Sequence, residues 1–485
     1  MPRALRFLIC ALLLAAWPAA AQQAPSAAEV GRAEARNRTT LEAFQAGDAE
    51  AAVAAARGAA EANLAALGPG HEQTAHAWFN LATILSRQGD YDQAEALHRR
   101  ALAAREAALG ADHVDVADSL LALGQLNRNR GHYADAEQQF ARALAIRTAA
   151  LGDGHPEVAQ VHGELARLYR VQDRFAEAEA NQAAALAIFE RELGPDHPLV
   201  ADALSELALI HHNAGAYDQA EPSYLRVLKM RETRFGPEHV LVARSLANLG
   251  ALYRSKGDLA RAEDYYRRAL AAKRAALGPA HPDVAVTLRD LGVVMHEAGD
   301  PEAAERLHRE AISLLEGALG PEAPAVAGTL GGLAELYIAD GRLDEAAALL
   351  RRAADIWQAA LDPDHPAVAR SLSSLAMIEL HRGRLDEAGP LQERAVAILE
   401  AALGADHPDL ATALGNLAMI RAGAGAPDQA AELYARAIAI RERAFGADSR
   451  RVAVLLGGYA QALREGGHEP EAAAAEARAA ALTPD

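Results

Sequence analysis

Eight histidines recur along the chain at His71, His113, His155, His197, His239, His281, His365 and His407, several with Asp or Glu before them and Pro after. Imidazole beside carboxylate is a donor set that zinc accepts. The spacing argues against a metal centre. Successive histidines stand 42 residues apart, or twice that between His281 and His365, so each belongs to its own structural layer. Packed helices lie about 8–10 Å apart, whereas zinc holds its nitrogen ligands at about 2.1 Å. One histidine per layer cannot converge on one ion, and neither a metal nor another cofactor is expected. The same residues fit a helix start: an Asp196-type cap, a Pro198-type first turn, and a histidine packing or bonding in the linker.

Other catalytic groupings are missing from the sequence. It has no Gly-rich phosphate loop ending in Lys-Ser/Thr, no H-E-x-x-H and no G-x-S-x-G. The single cysteine, Cys10, falls in an N-terminal segment that reads as removable. His211-His212 stands alone, without metal spacing. An enzyme is therefore not expected. A hydrolase working through carboxylates in a groove is the rival reading from another class.

The elements that would position any site are helical. In 235–276, Val242, Leu246, Leu249 and Tyr253 form one apolar stripe at helical spacing. Lys256-Gly257-Asp258 then breaks the helix, with Gly257 suited to a left-handed stop and Asp258 to the next N-cap. Leu259, Ala262, Tyr266, Ala269 and Leu270 give the second stripe. Neither helix buries its stripe alone, so the hairpin needs neighbours. Copies supply them. The Leu/Phe-Gly pair recurs every 42 residues from Leu67 to Phe445, with Asp362 replacing Gly once. The inter-helix Gly keeps step from Gly89 to Gly467, with Asp173 as its one replacement. Pro222 and Pro390 share one place near the start of a second helix, which either begins late or bends there.

Leu246, Leu249, Gly250 and Tyr253 in the first helix, with Ala262, Tyr266, Ala269 and Leu270 in the second, resemble the tetratricopeptide repeat. The linkers Leu193–Pro198 and Leu403–Pro408 resemble the 42-residue variety found in kinesin light chains and many bacterial repeat proteins. The resemblance covers about 67–485. It implies an all-α, right-handed solenoid whose inner face, made by the first helix of each pair, binds peptides or proteins.

The two ends read differently. Arg3 and Arg6, the apolar run from Phe7 to Trp17, and Ala19-Ala20-Ala21 predict a signal peptide over 1–21, cleaved after Ala21. The run is too short to span a bilayer comfortably. A mobile leader over 22–28 is expected, then a degenerate capping repeat over 29–66 with Leu41 and Phe44 in apolar positions. Nine regular repeats over 67–444 and a C-terminal capping repeat over 445–485 follow. The formal charge of −18 argues against nucleic acid and anionic membrane surfaces as partners. No second apolar run of bilayer length follows, so no membrane insertion of the mature chain is expected. A periplasmic or secreted protein is.

Function should lie in what varies between copies. By the resemblance, the varying first-helix positions line the groove: Asn80, Gln125, Arg128, Arg167, Arg170, His212, Arg244, Asn248, Arg254 and Arg289. Gly328, Gly331 and Gly332 follow, then Met377, Asn416 and Met419. The face changes from charged to small and apolar. The expected function is a non-catalytic scaffold that binds an extended peptide or protein partner, its arginines gripping carboxylates or carbonyls. The alternative within the binding class is an envelope scaffold that stacks end to end through its capping repeats.

Overall fold

The computed structural model describes residues 25–45, 49–88, 90–361 and 363–482. The expected signal peptide, Gly47-Asp48, Gly89 and Asp362 lie outside them. Among the described residues the chain forms twenty-two helices and no strand. They run as successive pairs: Ala27–Gln45 with Ala49–Leu67, Glu72–Arg87 with Tyr91–Leu109, Val114–Asn129 with Tyr133–Leu151, and Pro156–Val171 with Phe175–Leu193. Next come Pro198–Asn213 with Tyr217–Phe235, Val240–Ser255 with Leu259–Leu277, Pro282–Glu297 with Pro301–Leu319, and Pro324–Ala339 with Leu343–Ala360. Pro366–His381 with Leu385–Leu403, Pro408–Gly423 with Pro427–Phe445, and Arg450–Glu465 with Glu469–Leu482 complete the order.

The chain divides into two compact units, 1–119 and 120–485. The first unit opens with Ser26, which accepts from the Glu29 amide while the Glu29 carboxylate accepts from the Ser26 amide. This capping box starts the helix at Ala27, inside the expected leader. Leu41, expected in an apolar position, is half exposed. Polar bonds help seat this pair: the buried Asn63 accepts from Arg36 Nε at 2.8 Å and donates to the Gln73 carbonyl at 3.1 Å.

In the second unit each pair from Pro156–Val171 with Phe175–Leu193 onward packs leading helix against trailing helix, and from Tyr133–Leu151 onward each trailing helix packs on the next leading one. Leading helices also touch directly across layers, as Pro282–Glu297 does Pro324–Ala339. The contact surfaces are small: Ala208, Ala220, Ala243 and Ala262 are fully buried. Gly250 lets the Tyr266 ring lie against the leading helix, since a Cβ there would stand 2.8 Å from the ring. The inter-helix Gly257 takes φ 79, as a left-handed stop requires, and Asp258 accepts from the Arg261 amide as the N-cap. Where Asp362 replaces the linker Gly, the helix stops at Ala360 and Leu361 is extended. The second helices do not start late at proline: Tyr217–Phe235 and Leu385–Leu403 run through Pro222 and Pro390.

The recurring histidines have a definite task. All eight accept the backbone N–H two residues on at Nδ1, from His71 with Gln73 at 3.1 Å to His407 with Asp409 at 3.1 Å. The cap is therefore the histidine, and the Asp196-type residue stands one place too early for it. Pro198 and its equivalents occupy the first turn. Ser449 Oγ takes over the capping role in the last pair.

Candidate functional site

Of the sixteen varying first-helix residues, Asn80 belongs to the first unit, half-buried on Glu72–Arg87. The other fifteen belong to the second. There the leading helices bring charged members together as a ladder. Arg128 Nη1 is 2.6 Å from Glu164 Oε2, and Glu164 Oε1 is 2.6 Å from Arg167 Nη1. Arg167 Nε lies 3.8 Å from Glu206 Oε2, and Arg170 Nε donates to Glu206 Oε1 at 2.9 Å. Five side chains on three successive leading helices thus alternate in sign. Arg128 and Arg170 are mostly covered, and the two glutamates more so. The ladder holds layers together, and these arginines already have their carboxylates.

The next arginines are held loosely. Arg244 is 56% exposed and 3.5 Å from Asp202, whose other partner is the buried Arg231 at 2.7 Å. Arg254 is 3.9 Å from Glu297, and Arg289 is 3.6 Å from its neighbour Asp290. Burial pushes the Asp290 carboxyl up, against the pull of Arg289, Lys273 and Arg254. His212 shares a 2.8 Å hydrogen bond with Ser255, and its imidazole is pushed down by burial first and by Arg254 second. Gln125 is exposed and Asn248 half-buried.

Further along the same face charge thins out, with the exposed Glu335 and Arg370 standing among glycines and serines. Asn416 donates to Ser373 Oγ at 3.3 Å, and Ser373 donates to Gln392 at 2.8 Å. Met377 is half-buried and Met419 is 40% exposed. This end offers thioether and methyl surface beside one hydrogen-bonded string.

A second cationic series escaped the sequence reading because it sits on trailing helices. Arg105, Arg147 and Arg231 are nearly fully buried, and Lys273 and Arg441 share their 42-residue step. Arg105 donates to the Asp115 carbonyl at 2.9 Å, Arg147 to that of Glu157 at 2.9 Å, and Lys273 to that of Asp283 at 3.1 Å. Each cation ties a trailing helix to the start of the next leading one. Burial pushes Arg105, Arg231, Lys273 and Arg441 down. The recurrence of a cation at this step was the signal that could have found them.

Paired helices stacked at a fixed period, with a varied face on the leading helices, define a helical-repeat solenoid. The chain belongs to the tetratricopeptide repeat family, whose model matches at 41–107, 75–149, 157–233, 200–275, 241–317, 325–388 and 368–443. Such repeats generally mediate protein–protein interaction. Among solved structures, BtubC (BKLC) from P. vanneervenii is similar at 26% identity and TM-score 0.39, over 48% of this chain and 91% of its own. A Podosopora anserina putative kinesin light chain with nearly identical TPR-like repeats is similar at 26% identity and TM-score 0.36, over 42% and 98%. The apo form of RapI follows at 16% identity and TM-score 0.45, over 58% and 97%. No curated protein matches the sequence.

Proposed function

We propose that the protein is an exported, periplasmic, non-catalytic scaffold that binds an extended peptide or a partner loop on its leading-helix face. The observation that carries this reading is the contrast on that face. The arginines at 128, 167 and 170 are committed to Glu164 and Glu206, whereas Arg244, Arg254 and Arg289 are exposed or half-exposed with distant partners. A partner carboxylate or carbonyl gains a charge-assisted bond there without breaking a short one. An apolar continuation of the partner then meets Met377 and Met419.

Export rests on Arg3, Arg6, the run from Phe7 to Trp17 and Ala19–Ala21. Mass spectrometry of the protein from cells tests it: a mature chain beginning at Gln22 is expected, and a retained Met1 in the cytoplasmic fraction contradicts it. Binding is tested by quantitative pull-down from envelope extract with wild type and Arg244→Ala/Arg254→Ala. A partner captured by the wild type and lost from the variant supports the reading, and equal capture overturns it.

A further inference from the structure

Two residues of the second unit depart from the 42-residue pattern. Asp173 holds the inter-helix position that glycine holds in the other described pairs, from Gly131 to Gly467, and it keeps their left-handed backbone at φ 60. Asp adopts that region more readily than most residues with a side chain. Arg451 stands where other leading helices carry Asp115, Asp283 or Asp409. The two departures meet each other. Arg451 Nη2 donates to Asp173 Oδ1 at 2.7 Å, and Arg451 Nε is 2.5 Å from Oδ2. That is a two-pronged ion pair across 278 residues of sequence.

The pair does not stand alone. Next to Asp173, the buried Gln172 donates to the Ala444 carbonyl at 3.1 Å. The Arg451 guanidinium lies over the Phe445 ring at 4.3 Å, and that ring packs 6.0 Å from Tyr133. Gly131 faces Pro408 so closely that a Cβ would come within 2.5 Å of the proline ring. The His407 ring lies beside the same glycine, with its Cδ2 3.2 Å from where that Cβ would stand. The Asp173–Arg451, Tyr133–Phe445 and Gly131–Pro408 contacts join helix pairs seven steps apart in the array, and the Gln172–Ala444 bond joins pairs six steps apart.

We propose that these residues form a latch: the second unit closes on itself through Asp173 and Arg451, and opening it admits a partner segment to the leading-helix face. The admission step rests on the binding reading; the closure does not. Leading helices touch one another across layers, so they lie on the inside of the array's curvature. An array that returns to itself encircles that inside face. A partner segment then enters from an open end or waits for the latch to release. By reciprocity, a partner that holds the array open is opposed by the closure contacts.

Asp173→Gly and Arg451→Asp test this with little risk to the fold, because each restores the residue found in other pairs. Amide exchange over 129–133 and 444–451 is followed by mass spectrometry in the full chain, with the radius of gyration from small-angle scattering. Each single variant should raise exchange in both segments by about tenfold or more and enlarge the radius. Circular dichroism should not change. Arg451→Asp should act most strongly while Asp173 is present, and the double variant should match Asp173→Gly alone. Wild-type exchange rates in both segments of either variant would overturn the latch, as would a wild-type radius already equal to that of the variants. No partner is needed, so this outcome is independent of whether the arginine face binds a peptide.

Discussion

The leading-helix face between Arg128 and Glu206 and the same face between Gly328 and Met419 sit on one repeating backbone but use it differently. In the first region, arginines and glutamates alternate at 2.6 to 3.8 Å and join three layers. In the second, glycines and methionines leave a smoother face, on which Glu335 and Arg370 are exposed and the Ser373–Asn416 bond links two layers. Charge on such a face is therefore not the same as availability. The arginines best placed to bind lie between the two regions, at Arg244, Arg254 and Arg289, where the ladder has ended and carboxylates are farther away.

The largest expected effect falls on that middle stretch. Arg244→Ala with Arg254→Ala should weaken partner binding by about 2–4 kcal/mol, the loss of two charge-assisted contacts. Chemical denaturation of the double variant should give wild-type stability. Arg170→Ala should do the reverse, lowering stability while leaving affinity nearly unchanged. If both variants behave alike, the distinction between committed and available arginines fails.

An acid titration gives the next effect. His98 is buried against the Phe79 ring at 5.3 Å, and burial, helped by Arg105, pushes its pKa down to about 4. In the unfolded chain it protonates near pH 6.5. The unfolded state thus binds the proton first, so stability is full above pH 6.5 and falls as the pH drops towards 4. The fall should reach about 3 kcal/mol. His98→Gln should flatten this part of the pH profile. An unchanged slope in that variant would show that the acid sensitivity lies elsewhere.

The ladder and the smooth end can be separated by smaller effects. Glu164→Gln removes the charge shared by Arg128 and Arg167 in a mostly covered site and should cost about 1–3 kcal/mol. Ser373→Ala, on the smooth end, should cost less than about 1 kcal/mol. Equal costs at the two sites would mean that the ladder does no more for stability than an ordinary surface pair.

Much of the architecture could be read directly from periodicity. Helix pairs, the left-handed stop at Gly257 and the cap at Asp258 follow from residue types at fixed positions. The histidine caps did not follow, because Asp196 and His197 are adjacent and either type can cap; only the bond to Leu199 N separates them. The core position held by Phe140, Tyr224, Tyr266 and Tyr434 also takes His98, Gln182, His308 and Gln392. Gln182 and Gln392 fit there because each donates to a backbone carbonyl at 2.9 Å. The varying first-helix positions were legible in the sequence, but their pairing was not: Arg128 and Glu164 are 36 residues apart, a separation that the 42-residue step hides. The Asp173–Arg451 contact lies beyond any local pattern, although both residues announced themselves as exceptions.

The central claim is that the loosely held arginines of the leading-helix face grip a partner electrostatically. Calorimetric titration of the captured partner into wild type and Arg244→Ala/Arg254→Ala, each at low and high salt, tests it most directly. The account predicts that salt weakens wild-type binding clearly and the variant's binding much less, because the screened contacts are already gone. Equal affinities for the two proteins, with the same salt response, would contradict it.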